Sequence, residues 1–508
     1  MIVALGGLLM GFDASVISGV IKFIEPEFGL TKLQLGWSVA SLTFTATLAM
    51  LVAGPLSDRI GRRTVLRYAA ILYAVSALAS ALAPTYTFLV IARMIGGFGV
   101  GASLILAPMY IAEMAPKEIR GRLVSFNQLN IVIGISLAFF TNYLILKLGK
   151  SNLNWVSTWK IDEHNWRWML GLETIPAILY FCGLFFVPTS PRWLIMKGRY
   201  DEAKLVLSKY VEPSQADKTV EEIKEHIALD QNKEKVSVKE LFVPAMRLVL
   251  MIGIVVAVLQ QITGINSVFF YAPMIFEQSG IGTDASFIQA ILVGVTNLVF
   301  TILALLFIDR LGRKPLLSAG VAGMTICLFL LAYGFSTATY TLSAESIPTL
   351  VENVDLSALD NIAGTTYNSD IEFNEALASV LPSDVVAAHK SEIIKASILM
   401  NPKLILVGIL GFVASFAISL GPVMWVLFSE LFPNRIRGIA ISFVGVINSS
   451  VSLAVQWIFP WQLEALGSAG TFAIYGAFAL IGLLFIIRVI PETKGKSLEE
   501  LEEQLVKA

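Results

Sequence analysis

The segment Gly54-Pro-Leu-Ser-Asp-Arg-Ile-Gly-Arg-Arg63 returns in shortened form as Ile308-Asp-Arg-Leu-Gly-Arg-Lys314. Each copy is a charged turn between two apolar runs, each near the roughly 20 residues a bilayer-crossing helix needs. Each is followed by a carboxylate and a guanidinium seven positions apart, Glu113 with Arg120 and Glu430 with Arg437. Two charged junctions repeated in the same order imply two homologous membrane halves. The repeat also measures a difference between them. Asp58 recurs 251 positions later as Asp309, whereas Glu113 recurs 317 positions later as Glu430, so 66 residues enter the second half between those points or are lost from the first. The polar stretch 337–401 has about that length.

The rest of the chain fits this reading. Of its 508 residues 56% are hydrophobic and only 15% are charged, with a mean hydropathy of +0.73; soluble domains carry about 25% charged residues. Twelve apolar runs are long enough to span: 1–22, 34–57, 64–84, 88–112, 123–147, 166–187, 247–275, 285–308, 315–336, 402–429, 437–462 and 469–490. The expected fold is an all-α membrane protein of two six-helix bundles, 1–190 and 247–490. A charged linker, 191–246, joins them and holds helix candidates at 200–211 and 216–232. A tail, 491–508, follows. The insertion 337–401 is acidic, and the expectation is a surface loop without a core of its own, with a lid as the alternative.

Lys and Arg gather in alternate turns: Arg59, Arg62, Arg63 and Arg67; Lys117, Arg120 and Arg122; Arg310, Arg313 and Lys314; Arg435 and Arg437. The opposite loops near 84–88, 277–284 and 463–468 hold none. The positive-inside rule then places the basic turns, the linker and both termini in the cytoplasm, and the insertion outside a multi-pass cell membrane protein.

Several function classes lose support. A net charge of −1 leaves no basic footprint for nucleic acid. Cys182 and Cys327 lie in apolar runs and make no disulfide framework. His164, His226 and His389 are scattered, so no metal site is expected. No nucleophile–histidine pattern or phosphate loop stands out, which argues against an enzyme or an ATP-driven pump, and no cofactor is expected.

The charges that remain point to a carrier. Asp58, Arg59, Arg62, Arg63, Glu113 and Arg120, with Asp309, Arg310, Arg313, Glu430 and Arg437, stand at matched helix ends, where ion pairs would hold the cytoplasmic side shut and break on opening. Asp13 lies roughly 18 Å along the first run at 1.5 Å per residue, well within the hydrocarbon layer. A carboxylate there needs a partner or a proton, and Arg93 on the fourth run is the available counter-charge.

Together, Gly54-x-x-Ser-Asp-Arg-x-Gly-Arg-Arg63, the two Glu/Arg pairs, Pro188-Thr-Ser-Pro-Arg-Trp193 and Pro491-Glu-Thr-Lys-Gly495 resemble the sugar porter family of the major facilitator superfamily, over nearly the whole chain apart from 337–401. The resemblance implies a midplane monosaccharide site between the bundles. Intramembrane polar residues are costly in lipid and mark such paths. By similarity the sugar ligands are Gln128, Gln260, Gln261, Asn266, Asn297 and Asn448, with Trp425 against the ring face and Phe416 lining the pocket. The chain departs from the family at Thr189, where Glu is usual, and at Phe270, often Tyr, for which Tyr271 is a candidate substitute. The Asp13 segment resembles proton-coupled members, whereas facilitative ones tend to carry Asn there. The implied function is proton-coupled import of a hexose, pentose or cyclic polyol by a monomer in the bilayer. Protonating Asp13 would release Arg93 and let the loaded carrier rock inward. The alternatives are a facilitative uniporter and, with less support given the short segment after Pro491, a sugar sensor.

Overall fold

A computed structural model describes residues 2–115, 119–209, 213–232, 238–347, 356–433, 435–496 and 500–501. Lys117, Glu352 and Asp355 lie outside these residues, as do the side chains of Arg120, Arg122, His226 and Asp309. Among the described residues, ten helical stretches are long and apolar enough to cross a membrane. Two features reconcile ten with twelve. The stretch Arg437–Val489 turns at Gly467 (φ 68°) and so contains spans 11 and 12. Span 6 is divided into Asn165–Gly171 and Thr174–Gly183.

Spans 1 to 5 are Leu5–Phe28, Lys32–Ile60, Arg62–Ala81, Tyr86–Met114 and Arg120–Gly149. Spans 8 and 9 are Thr283–Leu311 and Arg313–Ser336. Spans 7 and 10 are each broken: Arg247–Ile262 is followed by Ile265–Glu277, and Pro402–Ile418 by Leu420–Leu431. The repeated turn explains its own glycine. Gly61 (φ 97°) and Gly312 (φ 92°) each precede the first residue of the next span. A side chain at either would meet the steric penalty of the left-handed region.

The chain forms two compact units that do not follow the sequence halves. One comprises 1–14, 41–135 and 170–237; the other comprises 15–40, 136–169 and 238–508. The first has a core that includes Leu66, Tyr73, Leu106 and Tyr180. Within it spans 1 and 5 cross closely, because a Cβ on Gly11 would strike the Ile131 carbonyl and one on Gly134 the Leu8 carbonyl. Small residues permit such backbone approach between membrane helices. Large apolar side chains such as Leu82, Phe186, Ile326 and Ile481 remain exposed, as lipid-facing residues would.

The linker folds as Pro191–Met196, Tyr200–Leu207 and Pro213–Asn232 around Leu194, Ile195, Ala203 and Val206. The insertion corrects an expectation. It has its own core, which includes Tyr340, Leu342, Leu359, Phe373, Leu377 and Ile393. Around that core stand the helices Asp370–Val380 and Ser383–Ser397 and a three-stranded antiparallel sheet. Its strands, Thr339–Thr341, Thr366–Tyr367 and Ile398–Leu399, are too short to leave a period-2 pattern in the sequence.

Candidate functional site

The charged turns build two matching clusters, each inside its own unit. In the first, Arg62 Nη1 lies 2.8 Å from Asp58 Oδ1, and Arg62 Nε donates to Glu113 Oε1 at 3.1 Å. Ser190 Oγ donates to the other Glu113 oxygen. In the second, Arg313 Nη2 donates to Glu430 Oε1 at 2.8 Å, and Thr493 Oγ1 donates to Oε2 at 2.6 Å. Arginine, glutamate and hydroxyl therefore repeat as Arg62–Glu113–Ser190 and Arg313–Glu430–Thr493. The hydroxyls come from the Pro188 and Pro491 motifs, whose chemistry the sequence did not disclose.

The seven-residue spacing was a poorer guide to partners. Arg437 Nε donates to the Phe432 carbonyl at 3.1 Å, while both carboxylate oxygens of Glu430 are engaged elsewhere. The helix ends at Leu431, so positions 430 and 437 do not share a helical face. Arg63 donates to the Val187 carbonyl at 2.8 Å, Arg59 is exposed, and the Arg310 carbonyl accepts from Lys494 Nζ.

The clusters differ where Thr189 replaces glutamate. Its counterpart Glu492 accepts backbone N–H bonds from Arg313 (3.0 Å), Lys314 (3.1 Å) and Lys494 (2.8 Å), and so caps span 9. Burial raises the Glu492 carboxyl, but the donors Lys494, Arg313, Lys314 and Thr493 together outweigh it and hold it below the usual carboxylate range. At span 3 no side chain among the described residues caps Arg62 N or Arg63 N, and the Trp193 ring lies over Gly61 instead.

In the first unit the Asp13–Arg93 pair forms as expected from the two positions. Arg93 Nη1 lies 3.6 Å from Asp13 Oδ1, and both residues are at most 3% exposed. Asp13 Oδ2 has no hydrogen-bond partner among the described residues and packs against Gly96. A third buried charge was missed. Glu173, at the break in span 6, is 2% exposed, has an unpartnered Oε1, and lies in the electrostatic field of Asp13 and Arg93. A lone acid inside the run 166–187 was the available signal.

In the second unit the break in span 7 organises an amide network. Gly264 takes φ 85°, and a Cβ there would collide with the Tyr475 ring. Gln261 Nε2 donates to Asn448 Oδ1 at 3.2 Å, and Asn448 Nδ2 donates to Gln260 Oε1 at 2.8 Å. Asn266 Nδ2 donates to Gln261 Oε1 at 2.8 Å and Ser452 Oγ at 2.7 Å, and Gln456 Nε2 also donates to Ser452 Oγ at 2.7 Å. Ser452 and Gln456 follow Asn448 at four-residue intervals, a helical stripe legible in the sequence but not singled out. Tyr271 directs its hydroxyl to the Gln456 carbonyl at 2.9 Å, and Phe270 is buried beside it in sequence.

Asn297 is buried and makes no hydrogen bond among the described residues. Trp425 is 45% exposed and meets Phe428 edge-on at 5.9 Å, while the half-buried Phe416 packs on Gly421. Gln128 belongs to the first unit and is exposed. The second unit thus gathers Gln260, Gln261, Asn266 and Asn448 into one set of amides, able to donate and accept as a polyol requires.

The "Sugar (and other) transporter" family model matches residues 1–354 and 381–505, leaving part of the insertion unmatched. The arabinose-proton symporter of Bacillus subtilis is 34% identical over 99% of this chain and 93% of its own length. The D-xylose-proton symporter of Escherichia coli is 35% identical, over 99% and 94%. A partially occluded, inward open structure of the Escherichia coli xylose transporter superposes with a TM-score of 0.73 at 32% identity, covering 98% of both chains. The chain therefore belongs to the sugar porter family of the major facilitator superfamily.

Proposed function

We propose that this protein imports a monosaccharide together with protons, by alternating access between six-helix halves 1–190 and 247–490. The observation that carries the reading is the buried set Asp13, Arg93 and Glu173. Asp13 contacts the Arg93 guanidinium, and the buried Glu173 lies in the electrostatic field of both. Charge balance favours one carboxylate holding a proton, because an unpaired buried charge is costly. A proton arriving at Asp13 weakens its hold on Arg93, and a proton leaving restores it. The relatives named for arabinose– and xylose–proton symport support the same chemistry. The amides of spans 7 and 11, with Gln128, Asn297, Phe416 and Trp425, supply the sugar ligands. Following the positive-inside rule, the basic turns, linker and both termini of this cell-membrane carrier face the cytoplasm.

The test is uptake of radiolabelled D-xylose, L-arabinose and D-glucose with and without an uncoupler. Accumulation should collapse with the proton gradient. Asp13→Asn should abolish accumulation while retaining sugar exchange. Accumulation by Asp13→Asn against a gradient refutes coupling through this residue, and sugar entry without alkalinisation of the medium favours uniport.

A further inference from the structure

The insertion between spans 9 and 10 is tied down at separate points. Its stalk is the antiparallel pair formed by Thr339–Thr341, which follows span 9, and Ile398–Leu399, which precedes span 10. On one side, Asp370 Oδ2 accepts the Ser468 N–H at 2.7 Å, at the turn between spans 11 and 12. On the other, helix Ser383–Ser397 lies against the turn between spans 7 and 8. Ser391 Oγ stands 3.5 Å from Thr283 Oγ1, and Ile398 and Lys395 pack on Gly280 and Gly282.

Under this helix is a cavity of about 60 Å³, walled in part by Lys22, Glu25, Lys32, Glu277, Lys390 and Ser391. All belong to the second unit. Lys22 Nζ pairs with Glu277 Oε1 at 2.9 Å, joining span 1 to span 7, and Lys32 pairs with Glu25. Lys390 is half-buried and makes no hydrogen bond or ion pair among the described residues. The part of span 7 beneath it is built to bend, with Gly264 left-handed, Tyr271 off the helical conformation (φ −125°, ψ 16°) and Pro273 following.

We propose that helix Ser383–Ser397 is a lid: it closes over the ends of spans 1 and 7, must lift before sugar enters, and lifts the more readily because the Lys390 ammonium is lodged there without a hydrogen bond or ion pair among the described residues. The proposal rests on the carrier reading, with this face turned outward. The helix shares a cavity wall with the Lys22–Glu277 pair that joins spans 1 and 7, while Ser391 and Ile398 hold the adjacent turn. Partly burying an ammonium that no carboxylate contacts among the described residues penalises the docked position.

Burial pushes the Lys390 ammonium down to about 8; Lys32 adds to the effect, while Glu25, Asp370 and Glu464 oppose it. Lys22 and Glu277, with His389, Glu392 and Lys395 of its own helix, are further charged or titratable groups nearby. A docked lysine that binds its proton less tightly than a free one makes protonation favour lifting. The docked lid therefore gains stability as outside pH rises above about 8 toward the ordinary lysine value of 10.5.

The test introduces Thr283→Cys with Ser391→Cys into a background with Cys182→Ala and Cys327→Ala, so that oxidation fastens the lid. Two readouts follow: uptake of radiolabelled D-xylose, L-arabinose and D-glucose, and labelling of an added Ser18→Cys by an impermeant methanethiosulfonate from outside, located by mass spectrometry. Ser18 lines the cavity and is 2% exposed. Oxidation should lower both at least about tenfold, and dithiothreitol should restore them. Unchanged uptake and labelling in the cross-linked protein overturns the lid. If the reduced protein carries none of the sugars but labelling falls on cross-linking, the lid stands and the sugar reading fails. In a second variant, Lys390→Met, Ser18→Cys labelling, corrected for the thiolate fraction, should slow several-fold and lose its fall between pH 8 and 10.5. If the cysteine pair does not cross-link, an unchanged labelling rate in Lys390→Met overturns the proposal by itself.

Discussion

Glu492→Gln isolates what the two halves do not share. The carboxylate accepts Arg313 N and Lys494 N on Oε1 and Lys314 N on Oε2. Glutamine keeps one acceptor and turns an NH₂ toward a backbone N–H. A hydrogen bond to a charged group contributes about 1.5–3 kcal/mol net, and a negative charge at a helix N-terminus adds about 0.3–1 kcal/mol. The site is partly exposed, so screening favours the low end, and the expected loss is about 2 kcal/mol. The same position in the first half offers a control: Thr189 caps nothing among the described residues, so Thr189→Ala should cost under about 0.5 kcal/mol. The pH signature follows from sign. The folded carboxyl is held below its ordinary value of 4.5, so its stabilisation is complete above that pH and fades as pH falls through the lower folded value. Thermal unfolding of the purified carrier in detergent, scanned from neutral to acid pH, should show Glu492→Gln a few degrees less stable at neutral pH and converging with the parent at the acid end. Equal shifts for Glu492→Gln and Thr189→Ala, or a gap that does not close in acid, would refute the capping argument.

Two further substitutions probe the amide network. Ser452→Ala removes the acceptor shared by Asn266 and Gln456, leaving two amide donors short of a partner. A loss of about 1–3 kcal/mol and roughly tenfold weaker sugar binding are expected by thermal shift and equilibrium binding, and parental affinity would count against a role for the stripe. Gly264→Ala places a Cβ at a left-handed position and into the Tyr475 ring, with an expected cost of at least about 2 kcal/mol. An unaltered melting temperature would show that the break tolerates a side chain.

The fold was legible where one signal carried it. Apolar run length placed the spans, and the repeat placed Gly61 and Gly312 at equivalent turns. Partner choice was less legible, because spacing along the chain implies adjacency only while one helix continues. Glu113 binds Arg62, 51 positions away, and Glu430 binds Arg313, 117 positions away. Asp13 and Arg93 were found because each is a rare charge in an apolar run. Glu173 gave the same signal and was passed over. The insertion misled by its acidity. Its apolar residues are spread over strands of two or three residues, a five-residue 3-10 helix, loop positions and helices of 11 and 15 residues, and so form a core that no long pattern announces.

The turn at Gly467 has a mechanical consequence. Spans 11 and 12 are joined with almost no slack, and Asp370 clamps the first backbone N–H after the turn. Two helices so joined have no loop in which to store relative motion and behave as a stiff hairpin. Asn448, Ser452 and Gln456 ride on that hairpin as a fixed rail. Under the proposed function, the compliance needed to grip and release a sugar falls to the segments able to flex, the interruptions of span 7 at Gly264 and of span 10 at Ser419. Sugars of different shape would be accommodated by movement of those segments against a surface that itself stays put.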